Sequence, residues 1–214
     1  MSQLLDLDAL MATPLAEEPY PWTLLPHALR GQKVARTLEA EFPTRGFRTT
    51  ERRGGAPGGK GYHTRNLTLV ADGGAVAAGL SHLSPRWREL VAELSSPAYR
   101  RAVEELTGRP LDGARLAVRA VRYGPGGWID PHTDRADKLV TQTWYFNSGW
   151  RDGWAGSLRI LRSPDPADAA ADIIPRLGQS VVLVPSDRSW HAVTPVSAAA
   201  TEERKTLLVH FVAP

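Results

Sequence analysis

Apolar positions change period near the middle of this chain. In the first half they recur every three to five residues, the interval of a helix face. Pro26 to Phe42 opens with a proline suited to a first helical turn, sets Leu29, Val34, Leu38 and Phe42 on one side, and ends before Pro43. Ser84-Pro85 and Ser96-Pro97 each supply a cap residue and a first-turn proline. The first pair leads into RWRELVAEL, with Leu90, Val91 and Leu94 on one side, and the second into AYRRAVEELTG, which stops at Gly108. From Arg115 the period is two. LAVRAVRYG, KLVTQTWYF, SLRIL, SVVLVP and RKTLLVHFV are short β-rich runs divided by Gly, Pro, Asp and Ser turns. Strands in series without intervening helices predict an antiparallel sandwich or barrel covered by the earlier helices, an α+β arrangement.

Composition narrows the chemistry. The 214 residues, 42% hydrophobic and 23% charged, suffice for one sizeable core. With no Cys, a disulfide framework, zinc ribbon, iron–sulfur cluster or thiol nucleophile is excluded, so a metal would be held by carboxylates and some of the six His. Asp6, Asp8, Glu17 and Glu18 precede any Lys or Arg, the wrong layout for a signal or transit peptide, and no apolar run reaches membrane-spanning length. A cytoplasmic protein is expected. The net charge of +3 is a weak pointer to an anionic partner. Between Gly54 and Gly61 five of eight residues are Gly and one is Pro, which predicts a loop. No Gly-Lys-Ser/Thr follows it, so it is not a phosphate-binding loop.

The segment YGPGGWIDPHTDR carries the first chemical signal. His132 and Asp134 are i and i+2, so in an extended strand both project to one face, two members of a 2-His-1-carboxylate set. His191, at a turn entering a later β-run, is the candidate third ligand, because a jelly-roll brings distant strands together. Arg204 and Thr206 repeat the i, i+2 device, offering a guanidinium and a hydroxyl to a small carboxylate.

In this order of motifs the chain resembles the iron(II)/2-oxoglutarate-dependent dioxygenases, in their prolyl-hydroxylase-like branch. The resemblance spans about residues 114–213 and runs through Tyr123-Gly-Pro-Gly, His132-Thr-Asp134, Trp144-Tyr145-Phe-Asn147, Gly156-Ser-Leu-Arg-Ile, Ser186-Asp-Arg-Ser-Trp-His191 and Arg204-Lys-Thr206. It implies a double-stranded β-helix (jelly-roll, cupin-like) core over 114–214 with a helical and lid-forming region at 1–113, together one domain. It implies that His132, Asp134 and His191 hold Fe(II), that Arg204 pairs with the far carboxylate of 2-oxoglutarate, and that Thr206, Tyr145 and Tyr123 lie at that carboxylate. O2 is the co-reactant and ascorbate an accessory reductant. Related halogenases have a small residue in place of the metal-binding carboxylate, so Asp134 points to hydroxylation; desaturation and ring formation stay open. Residues 197–201 look like an inserted turn, which lets Lys205 compete with Arg204. Arg204 is favoured because Lys205 alternates with the apolar Leu207, Val209 and Phe211. His210, on the Arg204 face, is read as structural, and His27, His63 and His82 have no partner at ligand spacing.

Substrate contacts are expected from Arg65 and Asn66, entering the strand RNLTLV, and from Trp144 and Trp190, which adjoin motif residues. Trp128, Trp150 and Trp154 are read as core, and Arg52–Lys60 as a solvated loop or a lid. The first functional reading is a hydroxylase of a small molecule: an amino acid, a carrier-bound amino acid or a biosynthetic intermediate. Peptidyl-prolyl hydroxylation is the alternative. Nucleic-acid demethylation is disfavoured, because those relatives have an Arg where this chain has His210. A non-catalytic metal-binding barrel is the remaining alternative.

Overall fold

A computed structural model of the chain describes residues 3–54 and 60–214. Among the described residues, the α-helices are α1 (Leu7–Ala12), α2 (Gln32–Ala40), α3 (Ala77–Leu80), α4 (Pro85–Leu94) and α5 (Pro97–Thr107). The strands among the described residues are β1 (Trp22–Leu25), β2 (Arg48–Arg52), β3 (Tyr62–Ala71), β4 (Gly74–Ala75), β5 (Arg115–Tyr123), β6 (Trp128–His132), β7 (Lys138–Tyr145), β8 (Leu158–Leu161), β9 (Ala169–Ile173), β10 (Ser180–Leu183), β11 (His191–Val193) and β12 (Arg204–Val212). The capped helices form where the sequence puts them. The Ser84 hydroxyl accepts from the Trp87 amide and Ser96 from Tyr99, each with proline at the first turn, and α5 closes on Gly108 at φ +63°. The helix expected over 26–42 is shorter. Gly31 at φ +83° starts it, and Leu29 before it bridges to Leu5, so the first residues of that stretch serve the N-terminal segment instead.

The sheet curls in the order β1-β10-β7-β12-β5-β3-β6-β11-β8-β9, with β2 and β4 attached to β3 and every pairing antiparallel. This is the jelly-roll, α+β architecture expected. Residues 1–113 are nevertheless less helical than their apolar spacing suggests. They supply β1 at one edge of the sheet and β3 between β5 and β6, partners that local periodicity does not encode.

The period of two sorts the long strands into two faces. On the outer face Leu116, Val118, Ala120, Val140, Trp144, Leu207, Val209 and Phe211 pack against Leu38, Trp87, Leu90 and Val103 of the helices in one apolar core. On the inner face Val121, Tyr123, Tyr145, Leu158, Ile160, Val181 and Leu183 build a second. The polar side chains that share this inner face form the site.

Candidate iron and cosubstrate site

His132 ends β6 and His191 opens β11, and the two are direct partners across that antiparallel pair. Their rings lie 4.2 Å apart between centroids. One ligand atom from each of His132, Asp134 and His191 falls within 4.8 Å of the others. Both imidazoles are oriented by main chain: His132 Nδ1 donates to the Asp130 carbonyl at 2.9 Å and His191 Nδ1 to the Ser189 carbonyl at 2.8 Å. Each ring therefore keeps the Nε2 lone pair for a metal. Burial, then the neighbouring His191 and Lys60, holds His132 well below its ordinary pKa, and burial likewise lowers His191. Burial alone would raise Asp134, but His191, Lys138 and His210 outweigh it and keep the carboxyl well below its usual range. Two neutral imidazoles and an ionised carboxylate fit a divalent first-row metal such as Fe(II).

Asp134 is held from both oxygens. Oδ2 accepts from the Thr141 hydroxyl at 2.6 Å, and Oδ1 accepts from the Lys138 ammonium, in a pair whose side chains are only 3% and 12% exposed. Because Thr141 donates to Asp134, its oxygen accepts from His210 Nδ1 at 2.9 Å, which leaves His210 Nε2 buried without a partner among the described residues. His210 is thus half satisfied and faces the cavity, where the sequence suggested a purely structural residue.

A cavity joins these residues to Arg204. Arg204 is 1% exposed, yet its Nε and Nη1 find no acceptor among the described residues. Its guanidinium lies 4.6 Å from the Tyr123 ring centroid and 5.2 Å from that of Tyr145. The Tyr145 hydroxyl is also buried and unpartnered, and burial pushes it up to about 12. Thr206 lines the same cavity. A buried cation with open donors, beside an open phenol, is a receptor for an anion. Lys205 is on the other face; its amide donates to Asn147 Oδ1 at 2.7 Å, and its side chain is not among those lining the cavity.

The residues expected at the substrate separate by strand face. Asn66 lines the outer part of the cavity, whereas Arg65, one step along β3, points away and pairs with Glu203 at 2.9 Å. Trp144 is 2% exposed in the helix-side core, because Thr141, Thr143 and Tyr145 take the inner positions of β7. Trp190 offers its carbonyl to the Tyr20 hydroxyl at 3.0 Å and is not among the cavity's lining residues. The candidate lid lies largely outside the described residues, though Lys60 at its end lines the cavity. Among the polar lining residues, Arg119, Lys138, Thr141 and Thr143 carried no assignment in the sequence reading. Arg119 had a signal, since it is four residues before Tyr123 on one strand and so shares its face.

The model of the 2OG-Fe(II) oxygenase superfamily matches residues 118–212. No curated protein sequence matches the chain. Among solved structures, a Pseudomonas putida prolyl-4-hydroxylase is similar at 20% identity over 97% of each chain, with a TM-score of 0.57. A 2OG-Fe(II) oxygenase family oxidoreductase from Burkholderia pseudomallei is similar at 16% identity over 89% of this chain and 85% of that one, with a TM-score of 0.58. Prolyl 4-hydroxylase from Phytophthora capsici covers 70% of this chain and 48% of its own at 22% identity and a TM-score of 0.51. The matched segment contributes all three members of the metal-ligand cluster together with Arg204, so the part of the chain that is similar to the 2OG-Fe(II) oxygenase superfamily, whose chemistry uses Fe(II), 2-oxoglutarate and O2, is the part that builds the site.

Proposed function

We propose that this protein hydroxylates an unactivated C–H bond of a small molecule, with His132, Asp134 and His191 holding Fe(II) and Arg204 holding the far carboxylate of 2-oxoglutarate. The observation that carries the assignment is the Arg204 guanidinium, buried and unpaired in the same cavity as the metal-ligand cluster. When bound, the metal and cosubstrate supply the oxidising chemistry: one oxygen atom of O2 enters the C–H bond and the other enters succinate as CO2 leaves. The chain binds, orients and excludes water. Asp130 and Ser189 carbonyls fix the two imidazoles, Thr141 and Lys138 fix the carboxylate, and the Tyr123 and Tyr145 rings flank the Arg204 charge. Thr206 and the Tyr145 hydroxyl supply further donors to a carboxylate seated there.

Anaerobic Fe(II) titration with and without 2-oxoglutarate tests the assignment. An absorption band that needs both components, and is lost in Asp134→Ala, is expected. Absence of that band in the wild-type protein rejects the reading. Peptidyl-prolyl hydroxylation is the second reading, favoured by the prolyl-4-hydroxylases among the structural neighbours. It is chosen over the first if a proline-containing peptide stimulates succinate release more than any free amino acid does.

A further inference from the structure

The route from solvent to the metal-ligand cluster is unusually cationic. The outer cavity shares Lys60, Arg119, Tyr123, Lys138 and His210 with the inner one, so the two are continuous. Lys60, Arg119, Arg135 and Lys138 line the outer cavity, and no Asp or Glu does so among the described residues. Two of these cations are already neutralised: Lys138 by Asp134, and Arg135 by Asp137 at 2.7 Å. Arg119 and Lys60 have no carboxylate within ion-pair distance among the described residues. Arg119, at the centre of β5, has its Nε buried without an acceptor among the described residues, and it lines the outer cavity together with Asn66 and Lys60. Burial, chiefly, and the charge of Lys138 lower the Lys60 ammonium to about 8, outweighing the opposing charge of Asp134.

Such a cluster is costly unless a ligand neutralises it. It is also distinct from Arg204, which lines the inner cavity with Thr206, is flanked by Tyr145, and does not line the outer part. Lys60 is placed by the start of β3, where the Gly61 amide donates to Asp130 Oδ2 at 2.8 Å and any β-carbon would collide with that carboxylate. The glycine therefore anchors the end of the loop that carries this cation.

We propose that the substrate carries an anionic group, a carboxylate or a phosphate, which docks on Arg119 and Lys60 and so presents a neighbouring carbon to the metal-ligand cluster. The inference rests on the cosubstrate assignment above and narrows its substrate class. An uncharged peptide backbone would leave both cations without a partner, whereas a free amino acid, another carboxylic acid or a phosphate ester would satisfy them. The open Nε2 of His210 adds an acceptor at the same junction, suited to an N–H or O–H of the substrate.

The test uses the full chain with Fe(II) under anaerobic conditions. The rise in Tm on adding 2-oxoglutarate is read first in the wild type; its absence sinks the cosubstrate assignment, an outcome distinct from failure of the anion site. With 2-oxoglutarate saturating, acetate, inorganic phosphate and uncharged acetamide are then added at matched ionic strength. Acetate or phosphate is expected to raise the wild-type Tm above any change seen in Arg119→Gln, and acetamide to raise neither. The larger of the two anion shifts identifies carboxylate or phosphate. Lys60→Gln is expected to reduce the shift in part. Arg119→Gln without added anion should melt no lower than wild type, since a buried unpaired charge has been removed, and Arg119→Lys should restore part of the anion shift. In air, L-amino acids and their amides are compared for stimulation of succinate release. Acids that stimulate at least tenfold more than the matching amides support the proposal. Equal anion shifts in wild type and Arg119→Gln, no anion shift in the wild type, or amides that match their acids each overturn it.

Discussion

Arg204→Met is the most informative single change, because it removes a charge while keeping much of the side chain's bulk. The guanidinium is 1% exposed, flanked by Tyr123 and Tyr145, and open at Nε and Nη1. A carboxylate seated there would make charge-assisted bonds in a water-poor space. Truncating one partner of such a buried pair costs about 2–5 kcal/mol. That converts to a rise in 2-oxoglutarate Kd of about 30-fold to a few thousand-fold. Thermal shift with Fe(II) under anaerobic conditions reads this without turnover. At a cosubstrate concentration of about 100 times Kd the wild type gains about 2.7 kcal/mol, or about 5–10 °C for a chain of this size. At the same concentration the variant gains about 0.9 kcal/mol or less. Lys205→Met serves as the control and should keep the wild-type shift, because Lys205 does not line the cavity. An undiminished shift in Arg204→Met, or its loss in Lys205→Met, would refute the argument from the unpaired cation.

Other outcomes rest on the same contacts. Asp134→Ala should abolish Fe(II)-dependent succinate release and also lower stability by about 3–5 kcal/mol, since Lys138 is left buried without its carboxylate; urea unfolding of the metal-free protein measures the second effect. His132, His191 and His210 are all held below their ordinary pKa by burial. The unfolded chain takes up protons on these groups below about pH 6.5 while the folded chain does not, so stability should fall as pH drops through that value, by up to about 1.4 kcal/mol per pH unit for each. A pH series of urea unfolding should show a shallower fall in His210→Gln, and an unchanged slope would count against it. Ser84→Ala and Ser96→Ala should each cost about 1 kcal/mol by loss of a cap, read by the same unfolding assay. Trp144→Phe should destabilise the fold and leave the KM for 2-oxoglutarate unchanged, because that indole packs in the helix-side core.

The sequence determined what a strand's own period determines. Arg204 and Thr206 lie two residues apart on β12 and reach the cavity because alternate side chains of a strand share a face; His132 and Asp134 reach it too, although β6 ends at His132 and Asp134 lies just beyond it. The same rule separated Arg204 from Lys205 and placed the apolar Leu207, Val209 and Phe211 on the helix side. The capped helices were also legible, since Ser-Pro at a first turn is a local signal. Tertiary structure decided everything that depends on which strand lies beside which. Register across β6 and β11 set His191 directly against His132, the fold at Asp134 brought Lys138 and Thr141 to its two oxygens, and β3 entering between β5 and β6 carried Asn66 inward and Arg65 outward. Arg119 and Lys60 meet only in that folded arrangement, because residues far apart in the chain become neighbours through pairing energies spread over the whole sheet and written in no single segment.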